Sequence, residues 1–355
     1  MVNQPPHAAD LQRSARRAHR WSGRTSLGSV AIGWPHSCRL PRRSCSLVAT
    51  RWCGPSKKPE RPLERQMAVI ETSSGPVEYV EAGSGVPVVY FHGTGVTCDG
   101  MLRIEAPLVD SGFRVVIFNR PGYGRTPMAD NSSATACALV ARALMDALEI
   151  GTGCIMGSSG GAAFATSFAV HHPDRTDCLI LLCPQLHRWT NKSWLPAQSR
   201  WTLPLLRNRW LRKLLLKLYA VQFRRTTVGQ FMKMEAGTRY ESVRDDPMTL
   251  DVCRKSLDAM ADGPSHPGFE NDMVVFVTED IVVDATPITP PALILHDRQD
   301  PIAPAAHVDW FASFNPECKC VPLHSAGHLV WAGPDANLMH EARVRFMTEY
   351  AKRAA

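Results

Sequence analysis

The chain has 355 residues, 45% hydrophobic and 21% charged, enough to bury a sizeable core and without a collagen-like or repeat bias. Its formal charge of +7 is held unevenly: residues 1–65 carry 13 Lys and Arg against Asp10, Glu60 and Glu64, leaving 27 basic and 30 acidic groups to residues 66–355. Bulk charge therefore excludes a nucleic-acid reading of the body, and the absence of any run of about 18 apolar residues excludes an expected membrane-spanning helix.

Residues 1–66 are rich in Arg, Ser and Pro and show no sustained period. They are expected to be a disordered basic extension, read as translated upstream sequence with the working start at Met67 or, alternatively, as an Arg-rich transit peptide. Pattern begins at Met67. Ala68–Glu71 and Val77–Glu81, separated by Ser74-Gly75, predict an antiparallel pair at a sheet edge. Val88–Phe91 is a continuous apolar run, as expected of a strand buried on both faces, and it ends in His92-Gly93-Thr94-Gly95. A helix is expected over Met101–Asp110, a strand over Phe113–Phe118, then the loop Asn119–Thr126 and a helix to about Leu148 capped by Ser132 or Ser133. The strand Cys154–Met156, a helix to His172 and the strand Cys178–Leu182 complete an alternation that predicts a doubly wound, mostly parallel α/β sheet.

That rhythm stops at residue 186. Residues 186–270 read as a helical insertion above the sheet, between core segments 67–185 and 271–355. From Gln185 through Met234 there is no Asp or Glu, while Arg188, Lys192, Arg207, Arg212, Lys217 and Arg224 are among the basic residues inside, interleaved with Trp189, Trp194, Trp201 and Trp210. A cap helix burying leucines over a pocket and solvating its charges is the reading adopted for Leu203–Arg225. The alternatives are attraction of a substrate carboxylate and contact with an anionic membrane surface. Alternation is expected to resume with strands Met273–Val277 and Ala292–Leu295, a helix near Ala305–Phe314, the strand Cys320–Leu323 and a closing helix to Ala351.

Gly157-Ser158-Ser159-Gly160-Gly161 sits between strand and helix. A serine whose Oγ stands out at the tip of so tight a turn needs small residues two before and two after it. Gly157 and Gly161 therefore select Ser159 as nucleophile; Ser158 fails because Met156 stands at its leading position. Such a serine needs a base and an orienting acid. Downstream, one strand runs into Asp297 and Asp300 and the next into His324 and His328.

From Met67 onward the chain resembles the α/β-hydrolase superfamily, specifically its capped esterase- and lipase-like members. The resemblance rests on the serine turn, the order Ser, Asp, His, the His92-Gly93 loop, and Asn119–Thr126, which is similar to the family's Asp-x-Pro-Gly-x-Gly-x-Ser loop with Asn119 and Thr126 departing from it. It implies Asp300, followed by Pro301, as the acid, with Asp297 a solvated loop charge. It implies His328, after Gly327, as the base, with His324 a packed loop residue. His171 and His172 are read as helix-end residues, and His92 as a support of the oxyanion loop. The oxyanion donors expected are the backbone N–H groups of Thr94 and Gly160, and Trp189 and Trp194 are the aromatics expected to face substrate.

The implied activity is hydrolysis of a carboxylic ester with an apolar part. Carbon–carbon bond hydrolysis, perhydrolysis and ligand binding without turnover remain as alternatives; a serine nucleophile argues against the aspartate chemistry of epoxide hydrolases and haloalkane dehalogenases. No dinucleotide fingerprint, phosphate loop or metal cluster is present, so no cofactor or nucleic-acid partner is expected. Eleven scattered cysteines without a Cys-x-x-Cys pair predict free thiols in a reducing, cytoplasmic setting and no structural metal.

Overall fold

The computed structural model describes residues 67–190, 192–262, 267–279 and 288–351; the expectation for residues 1–66 lies outside them. Eight strands form one sheet in the order β1-β2-β4-β3-β5-β6-β7-β8. Their spans are β1 Ala68–Thr72, β2 Gly75–Ala82, β3 Val86–Phe91, β4 Phe113–Phe118, β5 Gly153–Ser158, β6 Thr176–Leu182, β7 Ala292–Asp297 and β8 Lys319–Leu323. Only the β1–β2 and β2–β4 pairs are antiparallel, and β3 through β8 run parallel.

The helices that join the parallel strands are α1 Cys98–Asp110, α2 Ala134–Ala147, α3 Gly161–His171 and α9 Ala306–Phe314, with α4 to α8 defined below, and α10 Ala336–Tyr350 follows β8. Alternate residues of each strand feed two separate cores, which is why these strands read as unbroken apolar runs. Val89, Phe91, Ile155, Leu179 and Leu181 pack with α2, α3 and α9 on one face. Val88, Tyr90, Met156, Ile180 and Leu182 pack with α1 and α10 on the other. Of the two serines considered as caps, Ser133 starts α2, its Oγ accepting the Ala136 N–H at 3.0 Å.

β3 lies between β4, which follows it in sequence, and β5, which comes later still. The chain therefore leaves β3 toward one edge and β5 toward the other, and the crevice opens at the carboxyl ends of this pair, where ligands of open α/β sheets bind. His92–Gly95 follows β3 and Ser159 follows β5 at that crevice.

Between β6 and β7 the chain makes α4 Leu203–Arg207, α5 Arg209–Arg225, α6 Val228–Ala236, α7 Pro247–Asp262 and α8 Pro267–Thr278. Two expectations are corrected here. Met273–Val277 is not a strand but the last turns of α8; a five-residue apolar run carries too little period to separate a buried helix from a buried strand. The helical segment thus extends past residue 270. The leucines of α5 also divide: Leu215 and Leu216 are buried, whereas Leu211, Leu214 and Leu218 stand exposed, as do Trp201 and Trp210. Helices α6 and α7 bury Phe231, Met232, Cys253 and Leu257 against Ala326 and Leu329, tying the insertion to the loop after β8. No helix among the described residues is long and apolar enough to cross a membrane.

Arg343 of α10 and Glu105 of α1 form an ion pair, both side chains within 1% of full burial. Desolvating two charges is repaid only while both are present. Arg343→Met should cost about 3–5 kcal/mol in urea unfolding, and adding Glu105→Leu should recover most of that loss.

Candidate active site

Ser159 has φ of +50°, in the left-handed region that non-glycine residues rarely occupy. The strain is held by backbone bonds on both sides: the Ser159 N–H donates to Leu182 O at 2.9 Å, and Ser159 O accepts from Ala162 at 3.1 Å and from Gln185 at 3.0 Å. The flanking glycines are steric requirements. A Cβ on Gly157 would stand 2.7 Å from Ala165 Cβ, and one on Gly161 would overlap the carbonyl oxygens of Phe91 and His92.

The structure brings Ser159, His328 and Asp300 into one relay. His328 Nε2 lies 2.9 Å from Ser159 Oγ, and His328 Nδ1 lies 2.7 Å from Asp300 Oδ2. Because the carboxylate only accepts, Nδ1 carries the proton and Nε2 is left to accept from the serine hydroxyl. Asp300 Oδ1 is held by the N–H groups of Ile302 at 2.7 Å and Ala303 at 2.8 Å. Burial disfavours the His328 imidazolium, but the Asp300 carboxylate, with Cys183 acting in the same direction, outweighs it and holds the pKa well above the ordinary 6.5.

The rival residues fall elsewhere. Asp297 is not a solvated charge: it is 1% exposed and accepts from the Gln299 N–H at 2.9 Å and the Gly327 N–H at 3.4 Å, shaping the two loops. His324 is exposed rather than packed and meets Arg239. His171 ends α3, with Nδ1 on Ser167 O, and His172 is its C-cap. His92 is buried; its Nε2 accepts the Arg120 N–H at 3.0 Å and its Nδ1 donates to Gly93 O at 2.8 Å. Burial and the neighbouring Arg120 both keep it neutral, lowering its pKa well below the usual value.

Thr94 and Gly160 are in contact, since a Cβ on Gly160 would overlap Thr94 Oγ1. Among the described residues neither backbone N–H donates to a protein acceptor. Thr94 Oγ1 donates to Asp272 Oδ2 at 2.7 Å. The same oxygen accepts from Tyr123 OH at 2.8 Å and Arg120 Nη2 at 2.7 Å, and Asp272 Oδ1 accepts from Arg120 Nη1 at 2.8 Å. Arg120 and Asp272 are each 1% exposed. Burial opposes the Arg120 charge, and Asp272 more than restores it. This pair, which sequence reasoning missed, clamps the Thr94 loop to α8. Its one visible signal is an acid standing directly before the apolar run Met273–Val277.

A cavity of about 410 Å³ opens over Ser159 and His328, walled mainly by apolar residues of the core and of α5 to α8, Trp189, Phe223, Phe231 and Met273 among them. Trp189 faces it as expected and stacks on Phe276 at 5.3 Å. Trp194 does not line it; its ring stacks on His187 at 4.3 Å and packs edge-on against Trp310. An aromatic far from any periodic pattern gives no sign of which way it points. No Lys or Arg is among the described residues of the wall, so the basic residues of the insertion do not face a ligand there. Cys183, just after β6 with φ of +38°, places its sulfur beside His328 and Asp300, and Glu235 also lines the wall. Neither was singled out from the sequence.

A sequence profile of the alpha/beta hydrolase fold matches residues 86–331. The chain is 25% identical over 283 residues to the uncharacterized hydrolase YcgS of Bacillus subtilis, a match covering 77% of this chain and 95% of that protein. It is 34% identical over 113 residues to the 2-hydroxy-6-oxo-6-phenylhexa-2,4-dienoate hydrolase of Comamonas testosteroni, covering 30% of this chain and 40% of that protein. Among solved structures, a thermophilic esterase from Thermogutta terrifontis superposes with a TM-score of 0.61 at 21% identity, covering 81% of this chain and all of that one.

Asp272→Asn keeps the shape of the clamp but leaves the Arg120 guanidinium buried without a counter-charge. Chemical denaturation should show a loss of about 3–5 kcal/mol.

Proposed function

The chain belongs to the alpha/beta hydrolase fold family, and on that premise we propose that it is a serine hydrolase cleaving carboxylic esters of apolar small molecules through an acyl-enzyme. The observation that carries this reading is the hydrogen-bonded series Ser159 Oγ, His328 Nε2, His328 Nδ1, Asp300 Oδ2, opening into an apolar cavity.

Ser159 Oγ attacks the ester carbonyl while His328 Nε2 takes its proton, and Asp300 holds the imidazolium that results. The negative charge that develops on the carbonyl oxygen falls to the free N–H groups of Gly160 and Thr94; one such donor is worth roughly 10²–10³ in rate. Collapse of the tetrahedral intermediate breaks the C–O bond, and His328 returns its proton to the departing alkoxide. Water, deprotonated by the same nitrogen, then attacks the acyl carbon, and Ser159 leaves as its hydroxyl. In this reading α4 to α8 act as a cap whose apolar wall sizes the acyl or alcohol part.

Carbon–carbon bond hydrolysis is the second reading, favoured by the match to the dienoate hydrolase. A dienoate carries a carboxylate, and a wall with no Lys or Arg among its described residues offers it no counter-charge. This supports the neutral ester.

Residues 1–355 should turn over p-nitrophenyl esters of short to medium acyl length, and Ser159→Ala should lower kcat/KM by about 10⁴ or more. A folded wild type no faster than Ser159→Ala on every ester, yet active on a vinylogous 1,5-diketone, would move the assignment to carbon–carbon hydrolysis.

The pH dependence follows from His328. Only its neutral form can accept the serine proton, so kcat/KM should rise with pH through a midpoint above the ordinary 6.5. Asp300→Asn removes the largest of the groups that raise this pKa, leaving Cys183 to raise it and burial to lower it. The midpoint should move to lower pH while the plateau falls by roughly 10⁴.

A further inference from the structure

Glu235 is an anomaly within the apolar cavity. It is 7% exposed and lines the wall. It lies in the last turn of α6, where a carboxylate opposes the helix dipole, so helix stability does not account for it. Among the described residues its carboxyl group has no hydrogen-bond donor, and no Lys or Arg lines the cavity. The titratable groups that act on it or feel it are His328, Asp300 and Cys253 of α7. A buried acid left without a partner costs stability, and replacement by an apolar residue of similar size would remove that cost. Asp272, on the same insertion, shows the opposite arrangement, with both oxygens of its carboxylate accepting from protein donors.

We propose that Glu235 is the polar anchor of the substrate cavity: it accepts a hydrogen bond from a donor on the substrate, a hydroxyl or an ammonium group, and turns away substrates that carry a carboxylate at that place. The substrate class is thus an otherwise apolar hydroxy- or amino-bearing ester. The proposal rests on the ester reading above and sharpens it. Burial raises the Glu235 pKa to about 7, with Asp300 adding to the rise and His328 opposing it. Near neutral pH the group therefore passes between an uncharged carboxyl and a carboxylate. Above that pH it should favour an ammonium most strongly.

The test compares the full chain with Glu235→Gln on ω-substituted p-nitrophenyl hexanoates and on hexanoate monoesters of ω-substituted hexanols, each with methyl, hydroxyl, ammonium or carboxylate termini. Readouts are ratios of kcat/KM to the methyl-terminated member, so a general loss of activity or fold cancels. In at least one series the wild-type ratio should be about tenfold or more for a donor terminus, the scale of one charge-assisted hydrogen bond, and about tenfold or more below one for the carboxylate. The ammonium ratio should climb with pH through about 7. The ammonium and carboxylate preferences and that climb should collapse toward unity in Glu235→Gln, whose amide oxygen can still accept from a hydroxyl; the hydroxyl preference should collapse in Glu235→Met. Unchanged ratios in Glu235→Gln, or a wild type indifferent to the terminus in both series, would overturn the proposal. A binding arm keeps this separate from failure of the ester reading: by calorimetry on Ser159→Ala, hexylammonium should bind about tenfold or more tightly than hexanoate, and adding Glu235→Gln should level the two. If no ester is hydrolysed but this preference stands, the anchor survives and the ester reading falls; if the preference is absent, the anchor falls.

Discussion

The site depends on one strained peptide. Ser159 can occupy the left-handed region only because its N–H is tied to Leu182 and its carbonyl to Ala162 and Gln185, so β5, α3 and the end of β6 all determine where its Oγ stands. The cost of such a conformation, of order 1–3 kcal/mol, is carried by the two cores that bury both faces of the sheet. Once the serine is placed, the loops after β7 and β8 need only deliver Asp300 and His328 to the same end of the sheet. Parallel strands do that by construction, because every strand from β3 to β8 ends on the same side.

The helices between β6 and β7 meet this rigid frame through two carboxylates with opposite treatment. Asp272 accepts from Arg120, Tyr123 and Thr94, and locks α8 to the loop that carries Thr94. Glu235 has no such partners among the described residues and lines the cavity. The first holds the Thr94 loop in place. The second is left to meet whatever enters.

Much of this was legible in the one-dimensional text. The apolar runs named β3 to β7 because a strand buried on both faces admits no polar alternation, and the edge pair was marked by its turn. Ser159 could be picked over Ser158 by spacing alone, since the steric demand of the turn is local and reaches only two residues either way. Asp300 over Asp297 and His328 over His324 needed the family resemblance. Asp297 and His324 both depart from the surroundings expected of them, Asp297 being buried and His324 exposed, because a loop's backbone donors and solvent contacts are set by the fold around it.

What the sequence by itself determined are the features governed by short-range rules: strand runs, caps, the glycine-flanked serine, and the order in which Ser159, Asp300 and His328 arrive. Tertiary structure alone decided the rest. Met273–Val277 became helix because five apolar residues satisfy either element until packing chooses. Trp194 turned to His187 and Trp310 instead of the cavity, because a side chain's direction depends on what covers it. Arg120 found Asp272 across 152 positions, and Glu235 was left without a side-chain partner among the described residues, for the same physical reason. Pairing of buried charge depends on distance in space, and no local pattern of residues encodes that distance.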